Sequence, residues 1–193
     1  MSRIKIFWLA LVTILTSGCI YSLNPLYTAK DVVFNPILIG EWVEKENAES
    51  TLKFEQLEQD GYLVSMAYER EQKILIAHLV QVGDSLFLDF FPRVEEAQKD
   101  FFFARMIPVH GFVKFEISDD SIVLTAFDYD WLEEMKKGNK IDLPFWEEDE
   151  AVITASTEDI QNFIIKRVLK DNKAFGRPME YQRMAEKIPG HGN

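Results

Sequence analysis

Between Gly40 and Phe127, apolar and polar positions alternate in short runs separated by turn residues, the pattern of consecutive antiparallel strands. Tyr62, Val64, Met66 and Tyr68 share one face, with Ser65 and Glu69 on the other, and Val113, Phe115 and Ile117 oppose Lys114 and Glu116. The pattern predicts strands at 40–46, 51–58, 61–69, 73–82, 85–91, 101–107, 111–118 and 121–127. Breaks fall at Glu46-Asn47, Asp60-Gly61, Gly83-Asp84, Pro92, His110-Gly111 and Asp119-Asp120. Ile74 to Val82 is apolar on both faces except at His78 and Gln81, which predicts a more buried strand. Short links favour a meander, and about eight strands can close into a small barrel that leaves no exposed edge.

After Phe127 the period changes. Asp130 is placed to cap a short helix, with Glu133 reaching back to it, and Gly138 ends the helix. Residues 139–150, with Pro144 and the acidic run Glu147-Glu148-Asp149-Glu150, read as an exposed loop, and Ala151 to Ala155 as one more strand. Ser156 caps a helix at about 157–171, whose stripe of Ile160, Phe163, Ile164 and Val168 must pack on the body. Pro178 is expected to open a last short helix through Lys187, followed by a frayed tail. The expected fold class is therefore mainly β with C-terminal helices, a curved antiparallel sheet or small barrel carrying a packed C-terminal helix.

The N-terminus follows a different rule. Arg3 and Lys5 precede an apolar run from Ile6 to Leu15, about half the length needed to cross a hydrocarbon core. Thr16, Ser17 and Gly18 then lead to Cys19, the one cysteine in the chain. This terminus resembles the lipobox of bacterial lipoproteins, with Thr16 where that family most often has Leu. The resemblance implies a signal peptide at 1–18, cleavage after Gly18, diacylglycerol on the Cys19 thiol and a lipid bilayer as partner. Ile20 follows, where retention in the inner membrane is associated with Asp, so the outer membrane facing the periplasm is the expected site. Residues 19–36 read as the lipidated tether and entry segment. Their apolar side chains imply that part of it packs on a single domain spanning 37–193. No later segment is apolar over the roughly 18 residues a spanning helix needs.

Composition removes several functions. The chain has 21 Lys+Arg against 32 Asp+Glu, a formal net charge of -11, and so acidic a surface repels nucleic acid. A single cysteine allows no intrachain disulfide and no zinc site built on paired cysteines. His78, His110 and His191 have no ligand-spaced partners, so neither a metal nor a cofactor is expected. His78 reads as a core or interface imidazole. Asp119-Asp120 and the Asp128/Asp130 pair are explained by a hairpin turn and a helix cap. The chain is expected not to be an enzyme.

The aromatic content is the unusual feature. Nine of the 15 Phe fall between residues 87 and 127. Phe101-Phe102-Phe103 must point to both faces of a strand, so one face fills a core and the other meets a helix, a ligand or a partner. Gly40-Glu41-Trp42 at the start of the strand run is similar to the lipocalin pattern, in which such a Trp closes the base of an eight-stranded barrel. Phe127-Asp128-Tyr129 is a counterpart of that family's Thr-Asp-Tyr, and no match for its late arginine is found. Ser22 to Tyr27 and on to Trp42 also resembles the start of an uncharacterised set of small bacterial lipoproteins. Together these imply a non-enzymatic envelope lipoprotein that binds a hydrophobic ligand or an envelope protein, with Trp42, Phe87, Phe101, Phe103 and Phe115 as candidate ligand-binding residues. The alternative is a structural or assembly lipoprotein with no small-molecule ligand.

Overall fold

The computed structural model describes residues 20–68, 71–93, 108–147 and 151–185. Cys19 and the leader, the expected strand at 101–107 and the acidic residues 148–150 lie outside them. Strands β1 (Ile20–Ser22), β2 (Gly40–Glu44), β3 (Ser50–Leu57), β4 (Gly61–Tyr68), β5 (Glu71–Val82), β6 (Ser85–Pro92), β7 (His110–Ile117) and β8 (Ser121–Thr125) come first. Helix α1 (Tyr129–Lys137), strands β9 (Phe145–Glu147) and β10 (Ala151–Ile153), helix α2 (Thr157–Lys166) and strand β11 (Met179–Arg183) follow.

Eight strands close an antiparallel barrel in the order β2-β3-β4-β5-β6-β7-β8-β11, with β11 returning to β2. The meander up to β8 follows the alternation of the sequence. The closing strand does not. Met179–Arg183, expected as helix, is a strand between β2 and β8. Its helix-forming residues are overridden by two open ladder edges and by an inward set of Met179 and Tyr181. Register places Arg183 opposite Trp42.

The barrel interior is filled by side chains. Trp42, Phe54, Tyr62, Leu79, Leu88 and Phe115 are fully buried in one cluster, as expected for a barrel of about eight strands. A second core lies on the outer face of β5, β6 and β7, where Val80, Val82, Phe87 and Phe112 meet Ile160, Phe163 and Ile164 of α2, Trp131 of α1 and Leu26. The stripe read from the sequence thus covers the second face of the strands that are apolar on both sides. Ser156 caps α2 by accepting the Asp159 N–H, and a 3-10 turn at Val168–Lys170 continues the helix to near its expected end.

Two local expectations are corrected. The cap of α1 is Asp128, not Asp130, because the bridge of Phe127 to Phe175 keeps the chain extended up to that residue. Glu133 instead lies 3.3 Å from Lys136. Phe145–Glu147, expected as loop, forms β9 by pairing with β10.

The stretch read as tether is fastened to the body at several points. β1 lies between β7 and β10, Ser22 and Leu26 are fully buried, and the Val33 N–H donates to Leu79 O at 2.8 Å. Gln161 of α2 donates to Leu26 O, and Thr157 donates to Pro25 O.

At the barrel base the Trp42 indole N–H donates to Leu38 O at 2.9 Å. The Arg183 guanidinium carbon lies 4.2 Å from the Trp42 ring centroid, and its nitrogens donate to Ile37 O, Ile39 O and Asp119 O. Gly40 has φ +133°, and a Cβ there would lie 2.8 Å from Arg183 Nη1. Trp42→Ala should therefore lower stability by about 3–5 kcal/mol in chemical denaturation. Arg183→Lys should lose part as much, because an ammonium cannot satisfy three carbonyls and stack at once. An unchanged Trp42→Ala midpoint would contradict the plugged base.

Candidate functional site

The two ends of the barrel differ. The base carries the turns at Glu58–Asp60, Gly83–Asp84 and Ser118–Asp120 and is sealed by Trp42, Arg183 and the 3-10 turn Pro36–Leu38. Phe34 stacks on Tyr62, with ring centroids 5.3 Å apart. The Tyr62 hydroxyl accepts the Asn35 N–H at 2.7 Å and donates to Asn35 O at 3.1 Å. Burial pushes the pKa of that phenol up, as it does for Tyr181. At the other end Met66, Phe90, Ala126 and Met179 are half-buried and pack on the interior cluster, forming an apolar mouth.

A polar cluster lies outside the barrel, between the sheet and the N-terminal segment. Asp89 is 1% exposed within the apolar run of β6. Its Oδ2 accepts the Leu26 N–H at 2.7 Å, and its Oδ1 lies 2.7 Å from His110 Nδ1. His78 is the cross-strand partner of Asp89, and Tyr27 tilts over the His78 ring at 4.5 Å. Burial, and then Asp89 and Asp60, push the Tyr27 phenol up to about 12. Burial holds His78 below its ordinary value, Asp60 and Asp89 pull it back, and His110 lowers it further.

An Asp-His pair is half of a hydrolytic triad, and Ser22 is the cross-strand neighbour of His110. However, Ser22 is fully buried, its hydroxyl donates to Ile153 O at 3.3 Å and it accepts the Asn24 N–H at 3.1 Å. The first bond ties β1 to β10, the second closes the turn after β1, and together they leave the hydroxyl committed to the backbone. The cluster therefore acts as a rivet that joins the N-terminal segment to the barrel.

The expected ligand-binding residues do not form one lining. Trp42 and Phe115 share the barrel interior. Phe87 is on the opposite face of the sheet, stacked on Phe127 with ring centroids 6.4 Å apart. Phe101, Phe103 and the lipidation candidate Cys19 lie outside the described residues. Asp119 and Asp120 sit in an exposed turn, and Asp128 caps α1. Among the described residues, no three His, Cys, Asp or Glu side chains gather as metal ligands, and no helix is long and apolar enough to cross a membrane. The pairing of His78 with Asp89 escaped the sequence reading, although the two-residue turn at Gly83-Asp84 already sets that register.

The fold and site define an eight-stranded antiparallel barrel with helices packed on its outer face. No protein-family model, no curated protein and no solved structure matches the chain.

Asp89→Ala should cost about 2–3 kcal/mol, because it strands the buried Leu26 N–H and the His110 ring nitrogen together. Asp89→Asn, which keeps an acceptor oxygen, should fall in between, as read by urea denaturation. The neutral form of His78 is favoured by folding, so its contribution is complete above the unfolded histidine value and is lost as pH falls below it. The drop in urea midpoint between pH 7.5 and 5.5 should be smaller in His78→Phe than in the native chain. An equal drop would remove His78 as a source of acid sensitivity.

Proposed function

We propose that the chain is a lipid-anchored protein of the bacterial envelope that works without catalysis, with the barrel as a solid scaffold and an envelope protein as its partner. The observation that carries this reading is the occupied interior, where Trp42, Phe54, Tyr62 and Phe115 take the space that a hydrophobic ligand would need. A Ser22 hydroxyl held by backbone groups and an Asp89-His110 pair spent on Leu26 support a non-catalytic role. The leader and the small residues before Cys19 support anchoring through an acylated Cys19. Ile20 in place of Asp favours the outer membrane. The lipocalin resemblance draws support from the closed eight-stranded barrel and from an arginine, Arg183, seated over Trp42, although the closing strand follows the helices and does not continue the meander.

A second reading rests on the apolar mouth of Met66, Phe90, Ala126 and Met179, which could hold part of a hydrophobic ligand. Native mass spectrometry of the chain released gently from its own host separates the two. An empty chain, with an envelope protein recovered by crosslinking in intact cells, is the expected result. One lipid or small molecule retained per chain would transfer the function to the mouth. Cys19→Ser should remain unacylated and uncleaved; normal anchored mature protein from that variant would refute the lipobox reading.

A further inference from the structure

The barrel's inner face does not stop at the barrel. β7 pairs with β8 through Lys114–Ile117 but with β1 through His110–Phe112, so the sheet forks there. Across the fork one register line runs Phe90, Gly111, Tyr21, Val152, Trp146, and these residues share a face. On the opposite face of this flap, Ser22 and Ile153 are buried against the helical core. On the line itself Trp146 is 47% exposed, and just past the end of β1 Leu23, whose N–H donates to Ile153 O, is 40% exposed. Pro144 and Thr154, tied through the Thr154 N–H to Pro144 O at 2.9 Å, extend the strip without adding a charge.

We propose that this flap, through the exposed side chains of Leu23 and Trp146, rests in the headgroup region of the bilayer that holds Cys19. The proposal rests on the anchoring reading above. Its occupant follows from the nearness of β1 to Cys19 along the chain. Tyr21 is two residues from Cys19, at most about 7 Å along an extended backbone. β1 is paired on both edges, and Ser22 and Leu26 are fully buried, so there is no slack to lift the domain from its anchor. Trp is a side chain favoured at a membrane–water boundary, where the ring is buried and the indole N–H stays wet. The chain carries a net charge of -11, so the surface that fits is zwitterionic rather than anionic.

The test uses the acylated chain after cleavage behind Gly18, which removes Trp8, in phosphatidylcholine vesicles, with tryptophan emission quenched by a lipid brominated near the headgroup. Trp42 and Trp131 are buried in the two cores, so they serve as an internal reference. Mass spectrometry of the N-terminal peptide is read first. If Cys19 carries no diacylglycerol, the anchoring reading fails and this proposal with it. With Cys19 acylated, the expected result is loss of the same part of the emission that Trp146→Phe removes, and no further quenching in that variant. Quenching of Trp146 by aqueous acrylamide but not by brominated lipid would overturn the proposal while leaving the anchor standing. Protection from both quenchers would mean that protein covers the face, and would also overturn it.

Discussion

The structure depends on one contact, the seating of Arg183 on Trp42 across the gap left by Gly40. A meander of antiparallel strands is built from local hairpins, each fixed by its own turn, but closing the barrel requires the first strand to find the last. Here β11 reaches β2 after two helices and two flap strands. Entropy opposes so long a closure, and the last strand offers only Met179 and Tyr181 as apolar inward anchors. The guanidinium supplies what the short strand lacks. It stacks on the indole and gathers carbonyls from the 3-10 turn and from the β7–β8 hairpin, so the base, the entry segment and the final strand lock at one point. A cation over a ring is worth about 0.5–2 kcal/mol, rising as it is desolvated, and Arg183 is half-buried. The carbonyls contribute more by being satisfied than by the strength of any one bond.

Once the barrel is closed, its own fullness decides what else the protein can do. Strands apolar on both faces need two covers. The inner face is covered by its opposite wall, and the outer face of β5 to β7 by α2, α1 and Leu26. Asp89 sits where these covers meet, and its burial is tolerated because the Leu26 N–H and His110 complete its hydrogen bonds. The N-terminal segment is thus part of the second core.

What the sequence revealed follows from how local each signal is. The β2–β8 run was legible because alternation and two-residue turns are short-range: Tyr62, Val64 and Met66 announce their face, and Gly83-Asp84 announces its hairpin. The Ser156 cap and the stripe of α2 were legible for the same reason. Met179–Arg183 was not, since its strand exists only because two distant edges are open, and its residues taken alone favour helix. The cap at Asp128 was missed because the bridge of Phe127 to Phe175 is a long-range constraint. Of the site, Gly40 and Trp42 were visible as a spacing, but their arginine was hidden in an unremarkable C-terminal segment. Phe87 was grouped with Trp42 because a run such as Phe87-Leu88-Asp89 does not state which face is inside.

On the proposed reading, anchor and flap divide the work of membrane attachment. Acyl chains contribute about 0.8 kcal/mol per buried methylene, so a single chain of roughly a dozen methylenes supplies on the order of 10 kcal/mol. Burying the exposed parts of Trp146 and Leu23 contributes no more than about 3 kcal/mol together. The flap therefore adds little to whether the protein stays on the bilayer. It acts on orientation, because an anchor on a flexible tether would leave the barrel free to turn, whereas an anchor beginning at the edge of β1 does not. A contact of 3 kcal/mol is enough to favour one orientation more than a hundredfold at room temperature. The flap face would then lie towards the lipid, leaving the rest of the acidic surface for the envelope partner.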